Sequence, residues 1–222
     1  MIVLHHLENS RSQRVLWLLE ELGLPYEVKK YKRDRTTMLA PPELRAVHPL
    51  GKSPVITDGK ITVAESGAIL EYLLDTHGQG RLRPAAGTAE RRQFTYWLHF
   101  AEGSAMPPLL MTLVFDQVKA KSPLIVKPIA KGIADQVGRM FLRPNLDAQM
   151  NFMEAELGTR PWFAGAEFSA ADVQMSFPLE AAAARGVLDA RHPKLQDWLE
   201  RIHARPAYHR ALEKGGPYGV MS

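Results

Sequence analysis

The chain has 222 residues, a formal net charge of +4, 45% apolar and 23% charged residues, enough to bury a core as one large or two small domains without staples. It contains no cysteine, which excludes disulfides, thiolate metal sites and any mechanism built on a protein thiol, so sulfur chemistry would need a thiol brought by a substrate. The opening Met1–His6 is too short and too soon polar for a signal peptide, and no apolar run reaches a membrane span; a cytoplasmic location with no membrane partner is expected.

Ile2-Val3-Leu4 reads as a short strand. Between Ser12 and Leu22, the positions Val15, Leu16, Leu18, Leu19 and Leu22 recur at helical spacing, with Gly23 at the C-terminal cap. Tyr26 to Tyr31 follows as a second strand, and the three elements form a βαβ unit whose strands should lie parallel. The basic group Lys29, Lys30, Lys32, Arg33 and Arg35 is interrupted by Tyr31 and Asp34 and reads as a solvated strand end, so no nucleic-acid partner is expected. A short helix is predicted over Pro42 to Val47, ended by Pro49.

The stretch Gly51 to Ser66 organises this half of the chain. Val55 to Thr57 and Ile61 to Val63 are β-branched runs separated by Asp58-Gly59-Lys60, a hairpin signature. Pro54 precedes the first run, and a cis peptide there would turn the main chain of Ser53 outward toward a ligand. Ser66 opens a helix reaching Thr76, whose first N–H groups are free for an anion. A free backbone edge beside a helix N-terminus suits a small peptide carboxylate.

The segment 79–87, rich in glycine and punctuated by Pro84, reads as a linker between a first domain over 1–78 and an all-helical domain over 88–222. A long amphipathic helix from Glu90 to Lys119 is kinked at most by Pro107-Pro108. A second helix starts at Pro123 or Pro128 and reaches Leu157, bent or broken by Pro144. Ser169-Ala170-Ala171-Asp172 is a capping-box pattern before Val173 to Ala184; helices over Pro193 to His203 and Pro206 to Leu212 follow. There is no internal repeat or low-complexity tract.

In the loop after the first strand, Asn9, Ser10 and Ser12 lie at or just before a helix start, where one of them can cap the first turn. Alternatively, a hydroxyl there can donate a hydrogen bond to a ligand anion, aided by the helix dipole. His5 and His6 face opposite sides of a regular strand and the remaining histidines are scattered, so no metal is expected.

These features together resemble a cytosolic glutathione transferase of the serine type across nearly the whole chain. The resemblance rests on Ser10 four positions before Arg14, on Lys52-Ser53-Pro54-Val55, and on Glu65-Ser66 opening the third helix. It extends to Trp162-Phe163-Ala164-Gly165 followed by Ser169-Ala170-Ala171-Asp172. It implies a thioredoxin-like domain of order βαβ-α-ββα, an all-α C-terminal domain, glutathione as co-substrate and a homodimer. Ser53 would pair its main chain with the cysteinyl unit, Ser66 would take the γ-glutamyl carboxylate and Glu65 would lie near the γ-glutamyl ammonium. Lys52 would meet the glycyl carboxylate, with His48, Lys32 and Arg35 as further candidates. Ser10 would donate to the thiolate, with Ser12 and Asn9 as the other candidates.

No tyrosine occurs before Tyr26, which sets the tyrosine-type arrangement aside; the lack of cysteine does the same for the cysteine type. The electrophile is expected against the helical domain, where the stripe Tyr96, Trp97, Phe100, Met106, Leu109, Leu110, Met111 and Phe115 reads chiefly as core or dimer contact; Tyr218 either closes such a pocket or belongs to a mobile tail. Glu102 is open between a dimer salt bridge and a solvated face. The rival readings are a non-catalytic glutathione-binding module and a glutathione-dependent isomerase or peroxidase. Asn9-Ser10-Arg11-Ser12 lacks the Ser-Ser-Cys pattern of the maleylacetoacetate isomerase branch.

Overall fold

A computed structural model describes residues 1–34, 37, 39–216 and 218–219. Strand β1 (Ile2–Leu7), helix α1 (Ser12–Leu22) and strand β2 (Tyr26–Tyr31) form the βαβ unit, β1 and β2 running parallel with Ile2 opposite Tyr26. β1 is three residues longer than the apolar run Ile2-Val3-Leu4. His5 and His6 extend it because their ring nitrogens find partners, His5 Nδ1 on Tyr31 Oη at 2.8 Å and His6 Nδ1 on Ser12 Oγ at 2.9 Å. After α2 (Pro42–Val47), β3 (Val55–Asp58) and β4 (Ile61–Ala64) make the hairpin, with Gly59 at φ 59° in its turn. The sheet order is β2-β1-β3-β4, the last two pairings antiparallel.

Helix α3 (Ser66–His77) packs with α1, while α2 seals a smaller cluster of Leu7, Tyr31 and Leu44. α1 is buried nearly all round, since the helical half covers the side that the sheet does not. Its polar residues are correspondingly paired. Glu20 takes Lys214 at 2.5 Å and Arg210 at 2.7 Å and bonds Tyr26, tying α1 to the C-terminal helix.

The expected long helix divides into α4 (Ala89–Phe100) and α5 (Met106–Lys121), joined by a π-helical turn over Ala101–Ala105. Pro107 and Pro108 carry no N–H, so the α-helical ladder lapses ahead of them, and Met106 N–H reaches back five residues to Ala101 O. The carbonyl of Ser104, deprived of a donor by Pro108, accepts Gln149 Nε2 instead at 2.9 Å. The same device recurs at Pro144: α6 (Lys127–Val137), opened by Pro128 rather than Pro123, passes through a π turn over Gly138–Leu142 into α7 (Arg143–Thr159).

α8 (Ala170–Ala184) carries the expected capping box, and Asp172 does more than cap. Its buried carboxylate accepts from Ser169 N–H at 3.0 Å, Phe163 N–H at 3.0 Å and Trp198 Nε1 at 3.1 Å, holding the 162–165 turn and α9 (Pro193–His203) together. Burial pushes its carboxyl pKa up, against the pull of those donors. α10 (Pro206–Gly215) ends the helical half. No helix among the described residues is long and apolar enough to cross a membrane.

Candidate functional site

The loop between β1 and α1 turns through Asn9 at φ 50°, and Ser10 follows it. Ser10 Oγ accepts the N–H of Ser12 at 3.3 Å, so the hydroxyl serving the first turn belongs to Ser10. Ser12, another of the three cap candidates, does not cap the helix. Ser12 already lies within α1, fully buried, and its Oγ turns inward to His6 Nδ1 at 2.9 Å and Ser10 Oγ at 2.7 Å. Asn9 is occupied elsewhere, its Oδ1 accepting the N–H of Gly219 at 2.5 Å.

Ser53 comes to the same place from 43 residues away, its Oγ 3.4 Å from that of Ser10. The Ser53-Pro54 peptide is cis, and Pro54 is buried. β3 begins only at Val55, yet Leu7 N–H needs an acceptor; Ser53 Oγ supplies it at 3.2 Å and donates to His5 O at 3.0 Å. The side chain thus takes the ladder position, and neither the N–H nor the C=O of Ser53 is bonded to the main chain of another described residue.

A second cluster forms where α3 starts. Glu65 stands at φ 72°, ψ 127°, a conformation that costs a non-glycine residue of order 1–3 kcal/mol and that persists where its surroundings over-determine it. Ser66 is buried, and its Oγ accepts Arg14 Nη2 at 3.1 Å. Arg14, only 1% exposed, also donates to Gln174 O at 2.6 Å and pairs with Glu102, which Arg11 grips through Nε at 2.9 and 3.1 Å. Gln174 O is available because Pro178, one turn further along α8, has no N–H to offer it.

The guanidinium carbons of Arg11 and Arg14 lie 5.0 and 5.3 Å from the Phe177 ring centroid. Burial alone would raise the Glu102 carboxyl, but Arg14 and Arg11 outweigh it and hold its pKa below the usual range. Within this chain Glu102 pairs with Arg11 and Arg14, and the π turn aims it at α1.

Lys52 is exposed immediately before Ser53, and Glu65 is exposed immediately before Ser66; neither makes an ion pair with a described residue. His48 ends α2 half-buried, its Nδ1 without a partner among the described residues, and Lys32 is exposed beyond β2. Arg35 lies outside the described residues. No group of three or more His, Cys, Asp or Glu among the described residues is placed to hold a metal ion.

The apolar stripe is split by the π turn: Trp97, Met106 and Leu109 are core, whereas Tyr96, Leu110 and Met111 are exposed. Tyr218 sits with its ring 6.4 Å from that of Phe177 and its hydroxyl donating to Glu180 at 2.8 Å, so the tail crosses α8 on the side of Arg11 and Arg14. Sequence reasoning missed His6, Pro178, Phe177 and Glu180. A glutamate inside the apolar, alanine-rich run of α8 was the one available signal, since a carboxylate there needs buried partners; Tyr208 and Tyr218 provide them.

The chain matches two family models, the N-terminal domain of glutathione S-transferase over residues 1–75 and its C-terminal domain over residues 116–201. It is 36% identical to glutathione S-transferase 3 of Schizosaccharomyces pombe, covering 96% of this chain and 88% of that one. Among solved structures it resembles a glutathione S-transferase from Actinobacillus pleuropneumoniae at 33% identity and a TM-score of 0.81, covering 99% and 95% of the two chains. It also resembles a glutathione transferase family member from Pseudomonas fluorescens Pf-5 with two glutathione molecules bound, at 28% identity and a TM-score of 0.74, covering 96% and 92%. With both halves matched and the thioredoxin-like and helical domains in the same order, this chain belongs to the glutathione S-transferase family.

Proposed function

We propose that this enzyme conjugates the thiolate of glutathione to small apolar electrophiles, with the Ser10 hydroxyl as donor to the sulfur. The observation that carries the reading is the meeting of Ser10 Oγ, at the start of α1, with Ser53, whose main chain is left unbonded beside it. A tripeptide strand pairing with Ser53 N–H and C=O would bring its cysteinyl side chain toward Ser10. The γ-glutamyl carboxylate would then take the free N–H groups at the start of α3 and the hydroxyl of Ser66, with Glu65 near the ammonium and Lys52 near the glycyl carboxylate.

The magnitudes suffice. A thiol of pKa about 8.5 needs a shift of about 2 units, or about 2.7 kcal/mol, to be mostly ionised at neutral pH. A hydrogen bond to a charged acceptor contributes roughly 1.5–3 kcal/mol and a helix N-terminus about 0.3–1 kcal/mol. Ser10 acts as donor and not as base, because an alkoxide would be far costlier than the thiolate it is meant to stabilise. The sulfur is the nucleophile.

The electrophile would approach from the helical side, near Phe177 and Tyr218. We place the domain boundary in 79–87, and assign the enzyme to a homodimer in which the exposed rings of Tyr96 and Phe152 offer an apolar face. Conjugation of glutathione to an activated aryl halide, measured for wild type, Ser10→Ala and Ser12→Ala, tests the reading. Ser10→Ala should lose about 25-fold in kcat/KM at pH 7, in line with a thiol pKa rising by about 2 units from about 6.5, and Ser12→Ala much less. Tight glutathione binding by a wild type that conjugates nothing would favour the non-catalytic module.

A further inference from the structure

The Ser10 hydroxyl has one proton, and its nearest neighbour competes for it. Ser12 Oγ lies 2.7 Å away, closer than any other partner of Ser10, and Ser12 itself contacts His6 Nδ1 at 2.9 Å. Ser53 cannot relieve the competition, since its own proton goes to His5 O. Each hydroxyl can donate once, and the other acceptors, Leu7 O for Ser12 and Ser53 Oγ for Ser10, both lie farther off at 3.4 Å, so the shorter contacts set the direction of the chain from its buried end.

With the His6 proton on Nε2, Nδ1 accepts from Ser12, Ser12 accepts from Ser10, and Ser10 has nothing left to donate. With the proton on Nδ1, every bond reverses: His6 donates to Ser12, Ser12 to Ser10, and Ser10 is free to donate outward. Both states are neutral and contain the same number of protons. Only the second can stabilise an anion at Ser10.

We propose that His6, acting through Ser12, is the positioning residue that fixes the Ser10 hydroxyl as a donor to the glutathione thiolate. The inference rests on the assignment of Ser10 above and adds to it the device that makes its proton available. In the thiolate complex the three groups run head to tail toward the sulfur, each bond polarising the next. His6 is suited to a neutral role. It is 4% exposed, Lys30 of β2 is its partner in register, and the end of α10 closes over it so tightly that a side chain at Gly215 would stand 3.4 Å from its Cε1. Burial and then Lys30 lower its pKa to about 4, while a hydrogen bond to the Gly215 backbone pulls the other way; the imidazole is neutral at physiological pH, and the relay requires its proton to leave the Gly215 side for Nδ1 when the thiolate binds.

The test is the pKa of enzyme-bound glutathione thiol, read from ultraviolet thiolate absorbance, in Ser12→Ala, His6→Leu, the double variant and His6→Asn. Ser12→Ala and His6→Leu should each raise it by about one unit, a roughly threefold loss of thiolate at neutral pH. The double variant should go no further than either single change, because both break one chain. His6→Asn, whose amide N–H can donate to Ser12 in place of Nδ1–H, should keep most of the depressed value. Additive shifts, or an unchanged pKa in Ser12→Ala, would overturn the relay; Ser12→Ala and His6→Asn keep the test decisive should His6→Leu fail to fold. A pKa raised by Ser10→Ala but by neither Ser12→Ala nor His6→Leu sinks the relay alone, whereas a pKa untouched by Ser10→Ala sinks the serine assignment with it.

Discussion

The two clusters that flank the proposed glutathione cradle are built on opposite principles. Around Ser10 the groups are neutral and, Ser53 apart, close in sequence: His6 of β1, Ser10 of the loop after it and Ser12 at the start of α1, met by Ser53 two residues before β3. Around Ser66 they are ionic and distant in sequence, with Arg14 of α1 joining Ser66 of α3, Glu102 of the π turn and the main chain of α8. A neutral network can tune one proton without moving charge. An ionic one ties the helical domain to the end of the site proposed to bind the carboxylate, so docking of the domains and the proposed binding of the ligand share residues.

Removing the arginine should break the second cluster most severely. Arg14→Leu leaves Glu102 and Gln174 O without their buried donor, and a loss of about 3 kcal/mol in unfolding free energy is expected, at the low end for a broken buried pair because Glu102 is 33% exposed. Urea unfolding measures it, and Arg14→Lys should not restore it, since an ammonium cannot span Ser66, Glu102 and Gln174 at once. A loss under about 0.5 kcal/mol would class the arginine with ordinary surface charges.

Acid should separate the clusters by the pH at which each fails. The pKa of His6 in the folded chain, about 4, lies below its ordinary 6.5, so the unfolded chain binds more protons between those values and stability falls as pH drops through them. The size is about 3 kcal/mol, and His6→Asn should lack that slope. Glu102, also depressed, contributes fully above its ordinary 4.5 and loses its contribution only as pH falls below that. Unfolding free energies that are flat from pH 6.5 to 4.5 in wild type would contradict a buried neutral His6.

Ser66→Ala is the mildest change. It removes one acceptor for Arg14 and one proposed donor to glutathione, about 1 kcal/mol, so KM for glutathione should rise about fivefold with kcat nearly unchanged. A fall in kcat of the same size would mean that the two clusters do not divide binding from activation.

Much of this architecture was legible in the residues. α1, β2 and α2 begin and end where Ser12, Leu22, Gly23, Pro42 and the strand run Tyr26 to Tyr31 placed them, because caps, prolines and periodicity act locally. The hairpin, the cis peptide and the Ser169 capping box belong to the same class. What stayed hidden is non-local. Nothing in the string ties His6 to Ser12 or Arg14 to Gln174 O, since those contacts exist only once α1 is sandwiched between the sheet and α8. The π turn was half legible: Pro107-Pro108 predicted a kink, but not that the kink would swing Glu102 toward α1.

The most direct test of the central claim is the titration of the glutathione thiol bound to wild type and to Ser10→Ala. A donor at Ser10 predicts a bound thiol pKa about 2 units below the ordinary 8.5 in wild type and a return to near that value in the variant, with glutathione affinity largely kept. Equal values in the two proteins would show that the hydroxyl does not act on the sulfur.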